Sequence, residues 1–246
     1  MLMASMPQIS IVIPAYNEAS RIIPTLDMLR QYLRENGWCA EVVVVNDGSE
    51  DATAEIVEKF SAQWNLVRLI QNPGNCGKGF SVRNGALQAT GDIVLFTDAD
   101  LSAPISEMPK LVDPILKGEC DVSFGSRALN RSLIGVHQSK LREFSGRIFN
   151  IFVQVLTGLN FKDTQCGFKA FRREAMIPVF QQQRITDFGF DPEVLYIAKK
   201  RGLRLKEIPV QWNHVEGTTV RFLNDSLKMF FDLVLIRWND WMGKYR

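Results

Sequence analysis

A chain of 246 residues with 46% hydrophobic side chains is long enough for one sizeable core, and a net charge of +2 is too mild for nucleic acid to be the predicted partner. The four cysteines, Cys39, Cys76, Cys120 and Cys166, form no CxxC pair, which argues against a zinc ribbon or a disulfide scaffold and fits reduced thiols in a cytosolic setting. The opening MLMASMPQIS is too short and too weakly apolar for a signal peptide. No run of about 18 apolar residues predicts a spanning helix, so the protein is expected to be soluble or to lie on a membrane surface.

In chain order, Ile9–Pro14, Val42–Val45, Leu66–Ile70 and Ile93–Thr97 read as short buried strands. Helical patterns separate them: Ile22, Ile23, Leu26, Leu29 and Leu33 share one face, Ala54, Ile56, Val57 and Phe60 another, and Phe80, Ala86 and Leu87 a third. This alternation predicts an α/β fold with a mostly parallel central sheet and helices on both faces, and such folds bind ligands at the carboxyl ends of the strands. Further on, Cys120–Ser126 reads as a strand, Lys140–Leu156 as a helix, Gly167–Phe171 as strand-like and Pro192–Lys200 as a helix. Leu203–Val210 is extended, with Pro209 marking an edge or an end, and a last helix runs from Phe222 to Trp241. Without repeats or a low-complexity linker, residues 1–246 are expected to form one domain.

Four strand ends carry polar residues: Pro14-Ala15-Tyr16-Asn17-Glu18, Asn46-Asp47-Gly48-Ser49, Asn75-Cys76-Gly77-Lys78-Gly79 and Asp98-Ala99-Asp100. Singly, each also suits an ordinary turn. Asp98 and Asp100 are two apart, so on an extended backbone both carboxylates point the same way and repel. A hard divalent cation, Mg2+ or Mn2+, that also binds phosphates resolves that conflict; helix-capping acids in a solvated loop are the alternative. Asp47 can then accept from a uracil imide and Lys78 can reach a pyrophosphate. The glycine spacing fits neither a Walker loop nor a dinucleotide fingerprint.

IVIPAYNE, VNDGS, GNCGKG and TDADLS, in that order, resemble the inverting family 2 glycosyltransferases of the GT-A (Rossmann-like) fold. SFGSR, DTQCGFKAF, FGFDPE and the tail from EIPVQWNHVEG onward look like the polyprenyl-phosphate branch of that family, the dolichyl-phosphate β-glucosyltransferases and their prokaryotic relatives. The resemblance implies transfer of glucose, with inversion and a divalent metal, from a UDP-sugar to a polyprenyl phosphate. It implies that Pro14, Ala15 and Tyr16 line the base, with Glu18 in the same donor-binding stretch, and that Asp47 contacts uracil. By the same resemblance Lys78 belongs to the nucleotide pocket, Asp98 and Asp100 hold metal and diphosphate with Ala99 between them in the cofactor-binding stretch, and Arg127 faces phosphate. Many relatives carry two aspartates where this chain has Asn46-Asp47, and Asp47 is expected to suffice. Residues 1–126 are then the nucleotide-sugar half and 127–246 the acceptor half.

A phosphate acceptor is already anionic at neutral pH and needs a cationic seat, whereas a hydroxyl acceptor needs a carboxylate base. Arg127, Lys140, Arg142 and Arg147 offer the seat, or form a solvated helix face. Asp191 and Glu193 are candidate bases, or acids favouring a helix start around Pro192. The helices around 148–156 and 227–241 carry wide apolar arcs that suit a core, a dimer seam or the membrane interface. With the resemblance, the expectation is a monotopic enzyme, peripheral on the cytosolic membrane face, drawing its lipid from the bilayer. His214, Thr218 and Thr219 are expected on a loop over the sugar or the acceptor phosphate. A soluble polysaccharide acceptor, a non-catalytic nucleotide-binding module and a nicotinamide oxidoreductase are the rival readings, the last failing on the glycine spacing.

Overall fold

The computed structural model describes residues 9–215 and 222–246, with the side chains of 140–142 and 222–226 outside the description. The first half alternates as the periodicity predicts: β1 (Ile9–Ala15), α1 (Ile22–Glu35), β2 (Ala40–Asn46), α2 (Thr53–Gln63), β3 (Val67–Gln71), α3 (Lys78–Gln88) and β4 (Ile93–Phe96). Then follow α4 (Met108–Leu116), β5 (Val122–Ser126), β6 (Ile134–Val136), α5 (Lys140–Thr157), β7 (Lys169–Arg172) and α6 (Arg173–Gln182). The chain closes with α7 (Phe190–Lys200), β8 (Leu205–Pro209), β9 (Trp212–Asn213) and α8 (Phe222–Trp241).

Seven strands form one sheet in the order β3-β2-β1-β4-β7-β5-β8, and β6 pairs with β9 in a second small sheet. Alternation along β1 and β2 divides the core. Ile9, Ile11, Ile13, Val42 and Val44 face α1, α2 and α4, while Val12, Val43 and Val45 face the layer that holds α3, α6, α7 and α8. Strand order reverses between β1 and β4, both parallel to the same direction, which opens a crevice at their carboxyl ends. β7 runs antiparallel between β4 and β5, with Lys169 opposite both Phe96 and Phe124. Its first residue therefore stands at the same edge where β4 and β5 end. Pro209 ends the edge strand β8, where a missing N–H costs no ladder bond.

α8 closes one face. Asp232 on it is buried, its carboxylate lies against the backbone of Gly189, and Oδ2 has no hydrogen-bond partner among the described residues. Burial pushes this carboxyl up to about 6, Lys228 opposing and Asp187 adding to the shift. An acid raised in the folded state binds a proton that the unfolded chain has already lost, so its stabilising effect is complete below the unfolded value of 3.8 and disappears as pH rises through about 6. At neutral pH the buried charge costs on the order of 2–3 kcal/mol. Asp232→Asn is expected to raise Tm by about 5 °C at pH 7.5 and to leave it unchanged near pH 4, as read from thermal melts across that range.

Candidate active site

The loops leaving β1 and β2 are laced together at the crevice. Asn17, at φ 55°, receives Glu50 N on Oδ1 (2.8 Å) and donates its own N–H to Ser49 Oγ (2.9 Å). Glu18 N donates to Thr53 Oγ1 (2.8 Å) and Ala19 N to Asp51 Oδ2 (3.1 Å). Pro14, Ala15 and Tyr16 are thereby fixed at the end of β1, Tyr16 half-buried. Asn46 Oδ1 accepts from Ser49 N (3.2 Å), so this residue caps its own turn.

Asp47 is buried and already engaged. Oδ1 accepts from Asn72 Nδ2 (2.7 Å) and Cys76 N (3.0 Å), and Oδ2 from Gly77 N (2.9 Å). Three of a carboxylate's roughly four acceptor positions are taken, which leaves about one for an imide N–H. Its demonstrable work is to shape the loop before α3. Gly77 in that loop has φ 98°, and a Cβ there would lie 2.5 Å from both Thr186 O and Asp187 Oδ1, so only glycine fits.

Lys78 opens α3, and its Nζ stands 2.6 Å from Asp98 Oδ1. Burial alone would lower the Lys78 ammonium, but Asp98 and Asp191 outweigh it and its pKa is raised. Asp98 and Asp100 do not continue one extended strand. β4 ends at Phe96, and residues 98–101 form a turn closed by Leu101 N to Asp98 O (3.1 Å), with Leu101 at φ 47°. Asp98 therefore reaches across to Lys78 and lies against Gly167, where a Cβ would come within 2.3 Å of Oδ2. Asp100 Oδ1 accepts from Ser102 N (2.9 Å), and Ala99 O accepts from Thr25 Oγ1 (2.5 Å). Glu18 lies within electrostatic reach of both aspartates. It chelates Arg21 through both oxygens (2.6 and 2.9 Å), and its pKa is raised by burial, with Asp100 and Asp98 adding to the shift against Arg21.

Among the described residues no three His, Cys, Asp or Glu side chains are grouped to cage a metal. Asp98 and Asp100 at the crevice nevertheless fit a hard cation that takes its remaining ligands from water and a diphosphate. Asp98 already demands a positive partner, a demand that Lys78 meets.

On the acceptor side Arg127 forms a forked pair with Asp163, Nε to Oδ2 at 2.7 Å and Nη2 to Oδ1 at 2.9 Å, and its guanidinium lies 5.5 Å from the Trp212 ring centroid. Burial raises the Asp163 carboxyl but Arg127 more than offsets it, so its pKa is lowered. Arg127 is thus not a free cation awaiting phosphate; Asp163 orients it. It stands at a cavity of about 720 Å3 between α5 and α8, whose lining includes the cations Arg131, Arg147 and Lys162 and the aromatic rings of Phe149, Phe152 and Phe230. Arg142 and Lys140 lie on α5 with side chains outside the described residues, as do Thr218 and Thr219 altogether. His214 stacks on Trp212 with centroids 6.1 Å apart. Outside the cavity the same helices expose Phe144, Ile151, Val155, Phe231, Trp238 and Trp241. No helix among the described residues is long and apolar enough to cross a membrane.

The two candidate bases are both inside α7. Glu193 is fully buried and accepts from Arg184 N (3.0 Å), Ile185 N (2.9 Å) and Tyr245 Oη (2.5 Å), which leaves an acceptor no approach. Asp191 is nearly as buried, in the first helical turn, and is ion-paired with Lys169. Burial raises its carboxyl, opposed by Lys169 and Lys78. Asp163, Lys162, Lys169 and Trp212 received no role from sequence. A lysine inside the apolar run Gly167–Phe171 was the available signal, since a charge in a core strand must be paired.

Residues 10–180 match the family model described as glycosyl transferase family 2. A dolichyl-phosphate beta-glucosyltransferase of Trichomonas vaginalis is 37% identical over 238 residues, covering 93% of this chain and 72% of that relative. The dolichyl-phosphate beta-glucosyltransferase of Saccharomyces cerevisiae is 36% identical, covering 97% and 76%. Among solved structures, glucosyl-3-phosphoglycerate synthase from Mycobacterium tuberculosis, in complex with Mn2+, UDP and glucosyl-3-phosphoglycerate, superposes with a TM-score of 0.66 at 20% identity. That match covers 94% of this chain and 78% of the synthase, a likeness of fold.

Proposed function

The chain belongs to glycosyl transferase family 2, and we propose that this glycosyltransferase moves glucose from UDP-glucose to a polyprenyl phosphate of the dolichyl type, with inversion. The names of its relatives support the sugar and the acceptor, and the manganese and UDP of the mycobacterial structure support the donor. The observation that carries the reading is the cavity between α5 and α8, whose lining joins Phe149, Phe152 and Phe230 to Arg127, Arg131, Arg147 and Lys162. That combination suits a lipid whose one polar end is a phosphate. Asp98 also contributes to the charge balance of Arg127, so this wall of the cavity and the donor crevice are electrostatically linked.

In this reading residues 1–126 hold the donor and 127–246 the acceptor. Pro14, Ala15 and Tyr16 border the base, while Asp47 shapes the glycine loop and keeps about one acceptor position for uracil. Asp98 and Asp100 would hold Mg2+ or Mn2+, which would neutralise charge on the departing diphosphate. Lys78 adds its ammonium to the same oxygens. Arg127, fixed by Asp163 and Trp212, orients the acceptor phosphate, with Arg147 and Lys162 lining the same cavity. A phosphate with a second pKa near about 6 is already the nucleophile at neutral pH, so no base is required. The burial of Glu193 and the pairing of Asp191 favour this over a hydroxyl acceptor. The exposed aromatic faces of α5 and α8 support a monotopic seat on the cytosolic membrane face.

The test is a panel of UDP-glucose, UDP-N-acetylglucosamine and GDP-mannose, each with and without dolichyl phosphate and Mg2+. UDP release and labelled lipid are expected only with UDP-glucose, lipid phosphate and cation together. Equal UDP release without lipid would point to a soluble acceptor or to hydrolysis.

A further inference from the structure

Lys169 is a cation with no exposure at all, standing in the middle strands of the sheet. It lies opposite Phe96 and Phe124, with Nζ 5.2 Å from the Phe96 ring centroid, and it donates to Cys166 O (2.7 Å) and to the Asp191 carboxylate. Replacing such an enclosed pair by apolar side chains is commonly neutral or stabilising, so fold stability is a weak reason for it. Its position suggests another. Two residues before Lys169, Gly167 packs directly under Asp98, and Asp98 in turn holds Lys78 at 2.6 Å. Gly79, next to Lys78, packs on Phe190, next to Asp191, so the starts of α3 and α7 meet and Asp191 lies within electrostatic reach of Lys78 and of Asp98. The charges therefore alternate, Lys169, Asp191, Lys78, Asp98, from the core of the sheet out to the crevice.

We propose that Lys169 and Asp191 are positioning residues for Lys78: the Lys169 ammonium holds the Asp191 carboxylate beneath the donor crevice as a second counter-charge, which keeps Lys78 in place when Asp98 is taken up by a cation. This rests on the reading that Asp98 and Lys78 meet a cation and a diphosphate. Once Asp98 turns to a divalent cation, Lys78 loses its 2.6 Å partner and faces a like charge. A lysine left without a counter-charge there would swing away. Asp191, held in place by its ion pair with Lys169, prevents this.

The experiment uses Lys169→Met, Asp191→Asn and the double variant, each followed by thermal melting and by calorimetric titration with Mg2+-UDP and with uridine. Lys169→Met strands a buried carboxylate and should melt lower, whereas the double variant removes both charges and should regain much of that loss. Despite the recovery, its Mg2+-UDP affinity is expected to stay roughly 10-fold weaker, in the range typical of partners that support a cation site, with uridine affinity unchanged. Asp191→Asn, which keeps an amide against Lys169, should show the same split and serves if the double variant does not fold. Wild-type Mg2+-UDP affinity in the double variant or in Asp191→Asn would overturn the proposal and leave the pair a packing feature. Failure of the wild-type protein itself to bind Mg2+-UDP would instead overturn the donor reading beneath it.

Discussion

Asp98→Asn is expected to reduce kcat/KM for sugar transfer by about 1,000-fold, the scale of removing a main electrostatic stabiliser of a departing oxyanion. Asparagine keeps the volume, so the close approach to Gly167 is preserved. What disappears is the charge that holds Lys78 and would hold a cation. The Asp98 and Lys78 side chains are 33% and 21% exposed, so the pair adds little to folding and Tm should move by no more than about 2 °C. Initial rates at saturating Mg2+, paired with a melt, separate the two effects. Asp100→Asn is expected to lose less, because an amide oxygen can still accept from Ser102 N as Oδ1 does. Full activity in the Asp98 variant would remove that carboxylate from the chemistry.

Arg127→Met should damage both acceptor use and stability. Asp163 is buried and keeps only backbone donors, Arg127 N (3.0 Å) and Gln165 N (3.1 Å), once the guanidinium is gone. Stranding a buried charge costs roughly 3–5 kcal/mol, and the surviving amides place this site at the low end, a fall of about 6–12 °C in Tm. The pH dependence has a definite sign. Asp163 is held below 3.8 in the folded state, so the pair stabilises fully above that value and its contribution is lost as pH falls through the depressed one. The variant should therefore lose this acid-side dependence along with its stability near neutrality. Adding Asp163→Asn should restore much of the Tm but not the acceptor: KM for polyprenyl phosphate is expected to remain up by about 100-fold while UDP affinity is unchanged. Normal acceptor kinetics in that stable double variant would dissociate Arg127 from phosphate recognition.

The strand ends were legible because Ile9–Ala15, Ala40–Asn46 and Ile93–Phe96 are β-branched or aromatic runs that stop at polar residues. The two long helices at Lys140–Thr157 and Phe222–Trp241 were legible through their apolar arcs. Other features were hidden for identifiable reasons. α4 contains Pro109 and Pro114, and α6 contains Pro178, residues that read as helix stops. β6 and β9 are three and two residues long, too short for any period to register. The sense of β7 is a property of packing, and it is this antiparallel insertion that brings Gly167 to Asp98 and Lys169 to Asp191. Spacing placed Asp98 and Asp100 on one extended face, but the strand ends at Phe96 and residues 98–101 form a turn, with Asp98 paired to Lys78. Asp47 and Arg127 were legible as polar residues of a site, whereas their partners, the amides of 76–77 and the carboxylate of Asp163, come from distant segments.

Crystals grown with Mn2+ and UDP locate, through the anomalous signal of manganese, where a cation and a uridine diphosphate meet this chain. The account predicts one strong peak within bonding distance of Asp98 or Asp100 and of the diphosphate, with Lys78 drawn off Asp98 onto phosphate oxygens. A peak away from both aspartates, or UDP bound while the Lys78–Asp98 pair stays closed, would contradict it.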